Sequence, residues 1–187
     1  MPKKLILLIG APGSGKTTDA RQIAEKHAGS ITSYSTGDLI RKEIEKGTAT
    51  GKIAEGFVSK GDLIPTAIVV EMIVAAIKSA PTDIVLLDGF PGKEKQLQHF
   101  CDFVFNGHDI QLVSVIEVRV SEEVAKARCL ASGKSEEIFE HEMTSYTQAI
   151  DIIEKHYEDK QILKVIDGEK ELDAVVAEID AYLVSKL

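Results

Sequence analysis

The sequence predicts an α/β protein built on a parallel, doubly wound sheet, and three observations carry that expectation. Five strand candidates, at 5–9, about 32–35, 84–88, 112–118 and 162–166, most of them mainly apolar, alternate with segments of helical periodicity, the pattern of strands joined by crossover helices. The first run, Leu5-Ile6-Leu7-Leu8-Ile9, drives straight into Gly10-Ala11-Pro12-Gly13-Ser14-Gly15-Lys16-Thr17, a complete G-x-x-x-x-G-K-T phosphate loop. The run at 84–87 ends on an acid, Asp88. Ligands of such sheets bind beyond the carboxyl ends of the strands, where the loop, Asp88 and residues 119–121 all fall.

Each element has a local reason. Glycines 10, 13 and 15 allow a tight turn whose N–H groups point inward at an anion, Lys16 adds a mobile positive charge, and Thr17 offers a hydroxyl ligand to a cation. Residues 18–28 carry Ala20, Ile23, Ala24 and Ala28 at helical spacing, so bound phosphate also meets a helix N-terminus. Residues 36–65 read as two short helices, one around Leu39, Ile40 and Ile44 and one around Ile53 and Phe57, punctuated by Gly47, Gly51 and Gly61. Residues 129–141 lie between two helical patterns and contain little more than the turn Ala131-Ser132-Gly133-Lys134-Ser135, which equally suits an ordinary helix–helix connection. The last helix shows a core-facing stripe of Leu172, Val175, Val176, Ile179 and Leu183. No internal repeat, low-complexity segment or linker interrupts the pattern.

At 187 residues the chain suits one domain with its own core. A hydrophobic content of 44% and a charged content of 28% are those of a globular protein. A formal net charge of −8 argues against non-specific binding to nucleic acid or to a membrane surface, so a phosphate site must be a local positive pocket in an acidic body. No stretch approaches the roughly 20 apolar residues that span a membrane, and Met1-Pro2-Lys3-Lys4 before a short apolar run is no signal peptide. Cys101 and Cys129 lack metal-ligand spacing and read as isolated thiols in a reducing compartment. A cytoplasmic location is expected.

The third run continues as Asp88-Gly89-Phe90-Pro91. With Ser35-Thr36-Gly37-Asp38-Leu39-Ile40-Arg41, Lys60-Gly61-Asp62-Leu63-Ile64-Pro65 and Gln96, it closely resembles the adenylate kinases in their short-lid form, in register along the whole chain. The resemblance implies a P-loop NTPase fold, with a five-stranded parallel sheet flanked by helices in one domain, 1–187. It also implies a helical monophosphate-binding insertion at 36–65 and a truncated lid at 129–141. The implied reaction is reversible, in-line transfer of the ATP γ-phosphoryl group to AMP, giving two ADP, with Mg²⁺ and without a covalent enzyme intermediate. On the ATP side the resemblance points to Gly13, Ser14, Gly15, Lys16, Thr17, Thr18, Arg128 and Lys170. On the AMP side it points to Thr36, Arg41, Asp62, Leu63, Ile64, Gly89 and Gln96. Thr17 and Asp88 are implied at the metal, and Lys16, Asp88 and Arg128 in catalysis. The implied partners are nucleotides, with no nucleic acid or membrane, and the implied state is a monomer. The zinc-binding cysteine cluster of some family members is absent.

Read from the residues alone, Arg41 beside Lys42 and Glu43 also suits a solvated helix charge, and Arg128 near Glu123 and Glu136 a helix-surface cation. His141 between Glu140 and Glu142 reads as a solvated polar face. The chain also departs from the family's ring of arginines. Gly92 follows Pro91, Ser132 stands at one lid position, Gly133-Lys134 replaces the R-x-D-D stretch, and Glu142 reverses a charge in Phe139-Glu140-His141-Glu142-Met143. Transfer of a phosphoryl group depends on positive charge around it. Two further readings therefore stand beside the kinase: a catalytically impaired nucleotide-binding protein, and a kinase for another nucleoside monophosphate.

Overall fold

Strands β1 (Lys3–Ile9), β2 (Ile31–Ser35), β3 (Ile84–Asp88), β4 (Ile110–Arg119) and β5 (Leu163–Asp167) form one sheet in the order β2-β3-β1-β4-β5. Every pairing in it is parallel. This is the arrangement in a computed structural model that describes residues 1–60, 62–106 and 109–187. Helices α1 (Lys16–Lys26), α2 (Thr36–Lys46), α3 (Ala49–Val58), α4 (Thr66–Ser79), α5 (Glu94–Asn106), α6 (Glu122–Ala131), α7 (Glu136–Asp159) and α8 (Leu172–Lys186) connect and cover it. The expected α/β class and five-stranded parallel sheet are both present.

β1 lies at the centre, which explains its unbroken apolar sequence: a strand covered on both faces has no polar side to alternate with. Leu5, Leu7 and Ile9 face a core shared with α4, α5 and α7, whereas Ile6 and Leu8 face α1 and α8. β4 keeps to this scheme through an irregularity. Leu5 pairs with Leu112 but Ile6 pairs with Ser114, so Val113 is an extra residue. A bulge of this kind changes the phase of everything after it. Ile110 and Leu112 face the α4/α5/α7 core before the bulge, and Val115 does so after it, leaving Ile116 and Val118 against α1 and α8.

Boundaries differ from the sequence expectation at several elements, and β1 already begins at Lys3 rather than at residue 5. The first helix runs 16–26 rather than 18–28, because Gly15 in a left-handed conformation starts it and His27 ends it. β4 reaches 110–119 rather than 112–118: the ladder uses only backbone groups, so Gln111 and Arg119 extend the strand although they end the apolar run. β5 lies one residue later than expected, at 163–167.

The segment 36–65 contains α2 and α3, joined at Gly47 and Thr48; Gly61 lies outside the described residues. The Thr48 hydroxyl caps α3 by accepting from Gly51 N–H, and donates to the Glu43 carboxylate. Between α6 and α7 only residues 132–135 are non-helical. This turn has Schellman geometry, with Gly133 N–H donating to Leu130 C=O and Lys134 N–H to Cys129 C=O. Gly133 takes the left-handed φ of +90° that the motif requires. Ser135 then caps α7 by accepting from Ile138 N–H. Phe139, on the first turns of α7, is fully buried against Ala11, Ala125 and Cys129.

Phe139→Ala leaves a void beneath the phosphate loop that the two capped helices cannot close. Urea denaturation is expected to show a loss of about 3–5 kcal/mol of stability; a loss below about 1 kcal/mol would show that this contact does not hold α7 in place.

Candidate active site

The loop between β1 and α1 is shaped by what lies under it. Gly13 has φ +81°, and a Cβ there would stand 2.4 Å from Ala125 C=O and 2.8 Å from Cys129 Sγ. The loop therefore rests directly on α6, and only glycine fits. No side chain caps the start of α1, which leaves first-turn N–H groups available to an anion. Lys16 folds back along the loop, its Nζ donating to Ala11 C=O at 3.3 Å. Desolvation pushes this ammonium below the ordinary lysine value, against the pull of Asp88 and Glu142.

Thr17 Oγ1 donates to Asp88 Oδ2 at 2.5 Å, joining the first turn of α1 to the end of β3. The other carboxylate oxygen, Asp88 Oδ1, is buried without a partner, as are Ser14 Oγ and Asp19 Oδ2. Burial raises the Asp88 carboxyl above the usual range, opposed by Lys16 and the Thr17 hydrogen bond. Burial likewise pushes Asp19 up to about 6, with Arg128 opposing. Three unsatisfied polar atoms around one loop form an environment built for a ligand, since such groups are otherwise costly. The Thr36 hydroxyl donates to the backbone C=O of Asp88 at 3.0 Å, bringing the start of α2 to the same strand end.

Lys16, Thr17, Thr36 and Asp88 border a cavity of about 550 Å³. Of the residues singled out from sequence, it brings together Gly13, Lys16, Thr17, Thr36, Asp88 and Gly89. Ser14 is buried within the loop, and Gly15 sits at the start of α1. Thr18 lines a neighbouring groove with Arg21 and Asp38. Arg128 braces the loop, donating to Ser14 C=O at 3.2 Å and Gly168 C=O at 3.0 Å. Lys170 pairs with Glu178 at 3.0 Å, away from the cavity. Arg41 is exposed and ion-paired with Asp38 on its own helix. Gln96 Oε1 accepts from Gly92 N–H at 2.8 Å, capping its own turn. Asp62 N–H donates to Phe57 C=O, Leu63 is 75% exposed, and Ile64 packs at the edge of the core.

One wall of the cavity is not expected from sequence, although Glu142 on it stands out there as a charge reversal. Glu142, Ser145, Tyr146, Ala149, Ile150 and Ile153 line it at the spacing of a single helical face of α7. That stripe is visible in the sequence, but its apolar members look like ordinary core. Glu142 forms an ion pair with Lys134 at 2.5 Å, on the same wall. Behind it, Arg119 bonds the buried Glu117 at 2.8 Å and Glu154 of α7 at 2.9 Å, tying α7 to β4. His141 is exposed at the mouth of the cavity, and no metal-binding cluster of three or more ligands occurs among the described residues. Cys101 and Cys129 are free thiols. No helix among the described residues is long and apolar enough to cross a membrane.

The arrangement suits a polyphosphate: inward-facing amides, a lysine among them, and a carboxylate–hydroxyl pair open to a hard cation. Comparison with known proteins points the same way. The family model for adenylate kinase matches residues 8–162. The adenylate kinase of Sulfurovum sp. (strain NBC37-1) is 48% identical, covering 99% of this chain and 100% of its own. That of Wolinella succinogenes is 45% identical with the same coverage, and that of Campylobacter jejuni (strain RM1221) is 45% identical over 95% of this chain and 94% of its own. A phosphate loop seated on α6, an acid at the end of the adjacent strand and relatives matched along almost their whole length lead to one conclusion: the chain belongs to the adenylate kinase family.

Proposed function

We propose that this chain catalyses reversible transfer of the γ-phosphoryl group of ATP to AMP, giving two ADP. The observation that carries the reading is the meeting of Lys16, Thr17 and Asp88 with Thr36 and Gly89 around one cavity. That cavity gives a donor polyphosphate and an acceptor monophosphate a common space. We assign the donor to the amides of Gly13, Ser14 and Gly15, to Lys16, and to the hydroxyls of Thr17 and Thr18. We also assign to the donor Arg128, which braces the loop, and Lys170, which would leave Glu178 to reach it. We assign the acceptor to Thr36, Arg41, Gly89, Gln96 and the stretch Asp62, Leu63 and Ile64. Arg41 and Gln96 release their present partners to reach it, and both partnerships are local and weak: an exposed i,i+3 ion pair and a single cap.

Thr17 and Asp88 fit Mg²⁺. Hard oxygen donors are what this ion takes, and the unpartnered Asp88 Oδ1 gains a partner with it. When bound, the ion supplies charge compensation to the phosphates. The protein's own contribution is positional. The loop amides and Lys16 hold the donor phosphates, Asp88 holds the Thr17 hydroxyl, and the α7 wall narrows the space left for water. We further propose that the chain works as a monomer in the cytoplasm.

The test is an ADP-formation assay with ATP and a panel of nucleoside monophosphates. Turnover of about 1–10³ s⁻¹ with AMP is expected. Nucleotide binding without turnover, or preference for a different monophosphate, would overturn the reading.

Two substitutions probe the two halves of the site. Lys16→Ala is expected to weaken ATP binding in calorimetry and to lower kcat/KM by at least about 10²-fold. Unchanged affinity would mean that the loop is not the donor site. Arg41→Ala is expected to raise the AMP dissociation constant at least about 10-fold, the loss of one charge-assisted contact to phosphate, while leaving ATP binding nearly untouched. An equal loss for both nucleotides would make Arg41 structural.

A further inference from the structure

We propose that Lys134 is the second cation acting on the phosphoryl group in flight, and that Glu142 is the positioning residue that holds it there. This inference rests on the phosphoryl-transfer reading above.

The first ground is scarcity. Among the described residues lining the cavity there is no arginine, and Lys16 and Lys134 are its lysines. A migrating phosphoryl group spreads negative charge over three equatorial oxygens, and its stabilisation requires fixed positive charge. Lys16 belongs to the loop that holds the donor. Lys134 stands on the α6–α7 turn and lines the same cavity, so the two ammonium groups share one space.

The second ground is rigidity. A lysine on a mobile loop contributes little, because ordering it costs side-chain and backbone entropy. Lys134 is not on such a loop. It occupies the position after Gly133 in the Schellman turn, with its own N–H bonded to Cys129 C=O at 3.1 Å. The cap at Ser135 follows immediately, and buried Phe139 fastens the next turn beneath the phosphate loop. Backbone and wall are set before any ligand arrives.

The third ground is the Lys134–Glu142 pair itself, at 2.5 Å, with each side chain partly exposed. A lone carboxylate facing a phosphate site would repel the substrate. Paired with Lys134 it is neutralised, and it also aims the ammonium. An ammonium has three protons; Glu142 takes one and leaves two for phosphate oxygens. Both residues line the cavity that Lys16 and Thr17 also line, which places the pair at the donor site.

In the step, an oxygen of the acceptor phosphate supplies the electron pair for the new P–O bond. The β,γ-bridging oxygen of the donor leaves with the pair of the bond that breaks. Lys134 keeps its protons throughout and contributes only charge and hydrogen bonds.

The experiment uses the full-length protein and its Lys134→Ala, Lys134→Arg and Glu142→Gln variants, with three readouts: kcat for ADP formation, ATP affinity by calorimetry, and affinity for aluminium fluoride with ADP and AMP, a stand-in for the phosphoryl in flight. Lys134→Ala is expected to lower kcat about 10²-fold and to weaken the aluminium fluoride complex by a similar factor. ATP affinity should change by less than about 3-fold, the signature of an interaction made in the transition state. Lys134→Arg, which keeps the charge, should recover at least about a tenth of the wild-type rate. Glu142→Gln should lower kcat about 10-fold while leaving ATP binding equal or tighter, because it removes a repulsive charge as well as an anchor. An active wild type whose Lys134→Ala variant keeps its kcat, or loses ATP and aluminium fluoride binding equally, overturns the assignment of Lys134. A Glu142→Gln variant with raised kcat overturns the positioning role of Glu142. A wild type that makes no ADP overturns the kinase reading, and this proposal with it.

Discussion

The site depends on one constraint: β1 is buried on both faces and paired on both edges. Leu5, Ile6, Leu7 and Leu8 are fully inaccessible to solvent, and burial of each side chain contributes on the order of 1.5–3 kcal/mol. The pairing registers then set the site level. Leu8 stands opposite Asp88 of β3 and Ile9 opposite Glu117 of β4, while Ser35 of β2 stands opposite Asp88. The phosphate loop, the acid and the start of α2 therefore emerge at the same height. A slip of one residue in β3 would turn Asp88 to the other face of the sheet and away from Thr17.

Electrostatics at the site oppose those of the molecule as a whole. The chain carries a net charge of −8, yet its phosphate loop gathers Lys16, free amides and, at its base, Arg128. The acids that share this region are the strained ones: Asp88 and Asp19 each retain a buried oxygen without a partner and resist ionisation. Such groups lower the stability of the empty protein and gain most when a cation or polyphosphate arrives. Strain of this kind is typical of a surface shaped for binding rather than for stability.

One wall of the cavity is made by α7, which is fastened at two places. Phe139 locks its first turns under the phosphate loop, and Arg119 ties Glu154, further along the helix, to Glu117 of β4. The bulge at Val113 makes the second tie possible, because it turns Glu117 and Arg119 toward α7 while keeping Ile116 and Val118 in the opposite core. Desolvation raises Glu154, with Glu117 adding to it and Arg119 opposing. Between α6 and α7 this chain has a four-residue turn, closed by Schellman hydrogen bonds before it and a serine cap after it.

Much of this was legible in the amino-acid sequence. The phosphate loop is local chemistry: glycines at positions needing unusual backbone angles, then Lys16 and Thr17 at the start of a helix, all within eight residues. The central strands β1 and β3 announce themselves because burial on two faces demands uninterrupted apolar runs, and Asp88 stands out as the charge that ends one. What sequence could not supply was anything set by contacts between distant elements. The order β2-β3-β1-β4-β5, the phase change at Val113, the bridging of Ser14 and Gly168 by Arg128, and the pairing of Lys134 with Glu142 across a turn all arise from packing. In a linear reading Glu142 is a lost cation and Lys134 one of several lysines, with Lys93 and Lys95, near the missing arginines. Tertiary structure puts both on one wall of the cavity, because a side chain's role in a site is decided by what the fold brings opposite it.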